Sequence, residues 1–188
     1  MVLQALIFII TTIGGLFALA LMLRFLLQLL RAPPRNQLSE FLAAVTDFAV
    51  RPARRVVPGL GGLDLATLVL ALLTEAAQIW LVLVIKGYEA GPEVGITLVA
   101  LAALAAVQLA KLTVYIVMVG VVMQALMSWF GNSSPLISNL TQPLLRPLQR
   151  RVPLIANVDI TPVIVLLICQ LLLILPLAWL ENVLSRFL

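Results

Sequence analysis

Histidine is absent from this 188-residue chain, and cysteine occurs once, as Cys169 inside an apolar run. Those two shortages exclude an intrachain disulfide, a zinc site of the His/Cys type and histidine-ligated haem. Cys169 itself reads as a small buried or lipid-facing hydrophobe. Charge is scarce too: 11% of residues carry it, against roughly 25% in soluble globular domains. No Ser/His/Asp set, carboxylate dyad or P-loop occurs. Gly59-Leu60-Gly61-Gly62 lacks the strand and spacing that dinucleotide binding requires and reads as a flexible link. The chain is therefore expected to be no enzyme and to hold no metal and no cofactor.

What is present is hydrocarbon. Hydrophobic residues make up 63% of the sequence, and the mean hydropathy is +1.16, the composition of an integral membrane protein. Four apolar runs each exceed or match the ~20 helical residues needed to cross a bilayer. They cover residues 2–30 broken only by Arg24, 65–85 broken only by Glu75, 94–130 broken only by Lys111, and 160–180 without a charge. Met1 to Leu23 carries no charge and outruns a signal-peptide core, so it is expected to remain as the first span. The third run is long enough to suggest two spans, but residues 106–117 contain no Gly, Pro, Asn or Asp with which to turn. It reads as one span over about 104–130, preceded either by an interfacial lead-in or by the start of a long tilted helix.

Between the first and second spans, and again between the third and fourth, lie connectors of about thirty residues. Arg51-Pro52-Ala53-Arg54-Arg55-Val56-Val57-Pro58 in the first returns as Arg146-Pro147-Leu148-Gln149-Arg150-Arg151-Val152-Pro153 in the second. The same shift aligns Thr46 with Thr141 and Asp64 with Asp159. Shared Arg, Pro and Asp at fixed spacing are hard to obtain from composition, so the sequence implies two tandem repeats. Repeat one is assigned to 1–88 and repeat two to 104–188, with 89–103 as linker and lead-in. An even number of spans per repeat makes the copies parallel. Eight arginines lie in the connectors against only Lys86 and Arg186 on the other side. This bias places the connectors in the cytoplasm and both termini outside.

Leu38, Phe41, Leu42, Val45 and Phe48 recur at helical spacing, with Asn36 or Ser39 available as a cap, so the first connector is expected to hold an amphipathic helix. Leu136, Ile137, Leu140, Leu144 and Leu148 continue a similar surface in the second, with Pro143 expected to bend or interrupt it. Pro52 is expected to weaken the first helix, and Pro58 to make Val57 extended. Such helices lie in the membrane interface, with Arg51, Arg54, Arg55, Arg146, Arg150 and Arg151 reaching phospholipid headgroups. Anionic lipid contributes about 1 kcal/mol per well-placed basic residue. The expected partners are therefore anionic phospholipids, together with a membrane protein or a second copy, and no nucleic acid. Asp64 and Asp159 stand just before the second and fourth spans, either as helix N-caps or as carboxylates lining an ion path.

Charges within spans are costly and usually paired. Arg24 and Glu75 are expected to pair across neighbouring helices. Aligning Arg24-Phe25-Leu26-Leu27-Gln28 with Gln124-Ala125-Leu126-Met127-Ser128 sets Gln124 against Arg24, and the connector shift sets Gln170 against Glu75. A charged pair in one repeat then becomes an amide pair in the other, with Gln78, Gln108 and Lys111 able to extend either. These groups serve as helix–helix glue or as an ion or proton path.

The residues TDFAVRPARRVVPGLGGLD and TQPLLRPLQRRVPLIANVD, with MSWFGNSSP at 127–135 before the second, resemble the motif of the YggT family, small bacterial inner-membrane proteins related to the YlmG proteins. The resemblance covers nearly the whole chain. Phe48 stands where the family's first copy has proline, Gln124 where many members have arginine, and Ile155-Ala156-Asn157 in place of glycines. The resemblance implies a multi-pass inner-membrane protein. It also implies links to osmotic stress and potassium homeostasis in some bacteria, to cell division in others, and to cytochrome b6 maturation or nucleoid organisation in plastids. Two functions are consistent with that spread: an accessory or scaffold protein, and a small transport protein.

Overall fold

The computed structural model describes residues 1–30, 36–59, 63–88, 94–129, 135–149 and 160–187. Among them the elements are all helical. They run in the order α1 (Val2–Leu29), α2 (Gln37–Val56), α3 (Leu65–Ile85), α4 (Val94–Trp129), α5 (Pro135–Gln149), α6 (Thr161–Leu172), a π-turn (Leu173–Leu177), α7 (Ala178–Leu184) and a 3-10 turn (Ser185–Phe187). Four helical stretches are long and apolar enough to span a membrane: Val2–Leu29, Leu65–Ile85, Gly95–Ser128 and Thr161–Phe187.

Of the two readings of the third run, the structure shows the long helix. With nothing to break it, α4 begins at Val94, and residues 94–103 are its first turns. Its 36 residues extend about 54 Å at ~1.5 Å per residue, well beyond a hydrocarbon core of ~30 Å. Such a helix crosses tilted or with its ends outside the core. The fourth span also runs past the expected end at residue 180. Pro176 removes a backbone donor, and the chain widens into a π-turn in which the Ala178 N–H bonds the Leu173 carbonyl. The helix then continues to Leu184.

The connectors pass their internal prolines unbroken. Helix α2 runs through Pro52 to Val56, and α5 through Pro143 to Gln149. Pro52 is on the exposed side, where water can reach the carbonyl that its missing N–H leaves free. Helix α2 stops where Pro58 constrains its neighbour: Val57 is extended at φ −110°, ψ 101°. At its start Asn36 accepts a 2.7 Å hydrogen bond from the Ser39 N–H, an N-cap worth about 1 kcal/mol.

Helix α1 packs along α3, and α4 lies against both. At Gly14 of α1 an added Cβ would sit 2.5 Å from the Gln78 side chain of α3. Helix α2 lies across α1 and α3, while α5 contacts α4 and α6. One buried cluster joins Leu21, Val50 and Ala71 with Leu109. Another joins Val121, Leu145, Val165 and Cys169. Leu21 and Val121 occupy matching places in the two span alignments, and Val50 and Leu145 match under the connector shift.

Candidate functional site

Leu42, Thr46 and Val50, four residues apart, turn one side of α2 into the bundle. Phe41 and Phe48 stay exposed beside that side, and Phe48 also meets the Phe17 ring with centroids 5.5 Å apart. Arg54 and Arg55 occupy the last turn, where cations complement the helix dipole.

Arg24 does not pair with Glu75. Its Nη1 donates to Asp47 Oδ1 at 2.8 Å and to Thr46 Oγ1 at 2.6 Å, both on α2. The reason is positional: α2 crosses the end of α1 and brings an acid within reach of a guanidinium that would otherwise sit in apolar surroundings. Asp47 also accepts from Arg51 Nε at 3.0 Å and Nη2 at 2.8 Å. The hydrogen bond from Arg24 holds the Asp47 carboxyl below its ordinary value, with Arg51 adding to the effect against a smaller cost of burial.

Gln124 makes the corresponding contact in the second half, where it accepts a hydrogen bond from the Thr141 hydroxyl. Thr46 and Thr141 are fully buried, and each also bonds the carbonyl four residues earlier, of Leu42 and Ile137 respectively. A span residue and a connector threonine thus meet in both halves. Asp47 is replaced by Gln142 where Arg24 is replaced by Gln124. The expected exchange of a charged for a neutral set therefore falls on span and connector rather than on two spans. Asp47 carried no sequence mark as a site residue, although its neighbour Thr46 was already one of the matched positions.

Asp64 stands immediately before α3 and is buried. It accepts from the Thr67 N–H at 3.4 Å and the Thr67 hydroxyl at 2.6 Å. Arg54 donates to it through Nε at 3.1 Å and Nη2 at 2.5 Å. Burial pushes the Asp64 carboxyl up, but the bonds from Arg54 and Thr67 outweigh it and leave the group below its ordinary value. The same bond raises Arg54. Arg54, itself half-exposed, is thus tied to the start of α3; Arg55 and Arg146 are exposed, as is Arg51 alongside its bonds to Asp47. Arg150, Arg151 and Asp159 lie outside the described residues.

Lys111 and Gln108 on α4 converge on Glu181 of α7. Gln108 donates at 2.8 Å, and Lys111 forms an ion pair with the other carboxylate oxygen. Glu181 escaped notice in the sequence because it follows the apolar run that ends at residue 180. Glu75 is half-buried on α3 and Gln170 is exposed on α6. Gln78 is buried beside Gly14, and its Nε2 has no hydrogen-bond partner among the described residues.

No solved structure matches the chain. An uncharacterized protein of Pseudomonas aeruginosa is 33% identical over 172 residues, covering 89% of this chain and 85% of that one. One of Haemophilus influenzae is 31% identical over 164 residues, covering 84% and 83%. The uncharacterized protein YggT of Escherichia coli K12 is 26% identical over 166 residues, covering 86% and 83%. A family model described as CCB3/YggT matches residues 3–85 and 103–180. With its apolar spans and its R-P motifs inside those matched stretches, the chain belongs to the CCB3/YggT family.

Proposed function

We propose that this protein is a non-enzymatic accessory or scaffold protein of the bacterial inner membrane that organises anionic lipids or a membrane-protein partner at the cytoplasmic face. The observation that carries this reading is the division of labour among the arginines at and near the connectors. Arg24 and Arg54 are engaged in holding α2 and the start of α3, at Asp47 and Asp64. Arg51, bonded to Asp47 but with 77% of its side chain exposed, and Arg55 and Arg146, also exposed, face outward. Exposed Phe41 and Phe48 beside these cations give α2 the composition of an interfacial amphipathic helix. Two parallel repeats are supported by the paired Arg24–Thr46 and Gln124–Thr141 contacts and by the two separate stretches that the family model matches. The arginine bias supports cytoplasmic connectors with both termini outside.

Reconstitution of the protein alone tests the choice between scaffold and transporter. The scaffold reading expects no potassium flux and a partner that co-purifies. Flux without a partner would replace it with transport, the reading favoured by the Glu75 carboxylate within α3 and the unsatisfied Gln78 amide one turn away. Exchanging Arg51, Arg55 and Arg146 for Gln should reduce preference for anionic lipid in bilayer discs, and raised salt should reproduce part of that loss. Unchanged preference with inverted topology would mean that the arginines act only as insertion signals. Topology itself is read by impermeant maleimide labelling of Asn36→Cys and Lys86→Cys in a Cys169→Ala background. Labelling of both from one side refutes the proposed orientation.

A further inference from the structure

Leu21 and Val50 lie in one buried cluster and Val121 and Leu145 in another, while a third packs Phe25 and Leu42 of the first half against Ile116 and Leu140 of the second. Where the halves meet, an apolar groove of about 470 Å³ remains. Its walls include Leu19 and Leu23 of α1 and Tyr115 and Val119 of α4, and one end is bounded by Leu38 of α2 and Leu136 of α5. Those last two are the second residues of their helices. Both connectors therefore begin at the same end of the groove.

We propose that this groove binds one acyl chain of an anionic membrane phospholipid, whose headgroup sits at the end where α2 and α5 begin. The inference rests on the lipid-organising part of the proposed function and names a place for it. Four observations favour this occupant. The groove lies between spans of a membrane protein, so hydrocarbon chains are the material at hand, and an unfilled wall forfeits its dispersion contacts. Its volume falls within the roughly 300–1,000 Å³ of small-ligand pockets. Its lining is apolar apart from the Tyr115 hydroxyl, which matches a hydrocarbon chain. The first turns of α2 and α5 both reach the groove, through Leu38 and Leu136, and the positive end of each helix dipole suits a phosphate. The α5 first turn carries no acid, and the one acid in the α2 first turn, Glu40, is exposed.

The test counts lipid by native mass spectrometry on the full chain, extracted in mild detergent from bilayer discs of phosphatidylglycerol or phosphatidylcholine. The unaltered protein is expected to retain one phospholipid through washing, with phosphatidylglycerol preferred. Val119→Trp, at a groove-wall position 63% exposed, puts an indole where the chain would lie. Retained lipid should fall about tenfold, equivalent to ~1.4 kcal/mol. Leu171→Trp, 56% exposed on α6 and away from the groove, should retain it. Equal retention in Val119→Trp and the unaltered protein, or equal loss in both tryptophan variants, overturns the proposal. If Val119→Trp fails to fold, benzoyl-phenylalanine at position 115 decides the matter. A photo-adduct with phospholipid supports the groove site; an adduct with a second copy or another polypeptide overturns it. The arginine exchanges give the separate arm. Unchanged headgroup preference there, with lipid still lost in Val119→Trp, defeats the arginine reading and leaves the groove standing. Lost preference there with no effect of Val119→Trp does the reverse.

Discussion

Transplanting the polar set of the second half into the first tests whether the two contacts are equivalent. Arg24 is 16% exposed and Asp47 25% exposed, and they are joined at 2.8 Å. Asp47→Gln strands the guanidinium with only Thr46 for company. Breaking a fully buried pair costs about 3–5 kcal/mol, but this one is partly exposed and lies near the end of α1, and the long arginine stem can carry its head outward. A cost of about 2 kcal/mol follows, in the range of a charged hydrogen bond. Arg24→Gln is milder at ~1 kcal/mol, because Asp47 keeps its two bonds from Arg51. The double variant carries the amide pair found at Gln124 and Gln142, and a glutamine at position 24 can donate its amide N–H to Thr46 Oγ1 as Arg24 does, the Thr46 proton being given to the Leu42 carbonyl. Its cost should be close to that of Arg24→Gln alone, a coupling of about 2 kcal/mol. Unfolding in mixed micelles, followed by tryptophan fluorescence, measures all four proteins. A double variant within ~0.5 kcal/mol of the summed singles means that the residues act independently, and the equivalence of the two contacts fails.

Three further outcomes are expected. Gly14→Ala should cost about 1–3 kcal/mol by overpacking against Gln78 and be partly rescued by Gln78→Ala, whereas Gly15→Ala, with open space around it, should be near neutral; the same unfolding assay compares them, and equal effects refute the close approach. Glu181→Gln should destabilise the fourth span more than Glu181→Gln combined with Lys111→Met, because only the single variant leaves the ammonium unpaired; additive losses would argue against the pair. Asp47 and Asp64 are held below their ordinary values by partners that bind the carboxylate. Their contribution is therefore complete above the unfolded value of about 3.9 and is lost as pH falls through the lower folded values. Hydrogen exchange along α2 should accelerate only in that acid window, and acceleration between pH 7 and 5 would point to other groups.

The spans were legible because twenty apolar residues in succession leave the backbone few alternatives in a bilayer. Asp64 was legible as a cap candidate because a cap is local, a side chain reaching a backbone N–H three residues on. The partner of Arg24 was not, because the choice between Asp47 and Glu75 depends on where α2 crosses α1. Glu75 offered the simpler match of two charges, both inside spans. Lys111 and Glu181 are seventy residues apart, and no local pattern links them. The prolines follow a related rule. Pro52, Pro143 and Pro176 each remove one donor, but whether a helix ends there depends on what can satisfy the freed carbonyl.

The π-turn at Pro176 also sets an angle. Successive residues of an α-helix are about 100° apart around the axis, and a π-turn amounts to one extra residue in the winding. Everything beyond Leu177 is therefore rotated by roughly that angle from where an uninterrupted helix would put it. Glu181 lies in that rotated part, and its present phase faces it toward Lys111 and Gln108. Replacing Pro176 with alanine, so that Leu173–Leu177 winds as regular α-helix with every residue kept, would leave the span long and apolar, yet would swing the carboxylate about a quarter-turn away from α4. The same proline that lengthens the turn thus works as an indexing device, aligning the last stretch of the chain with a cation set seventy residues earlier.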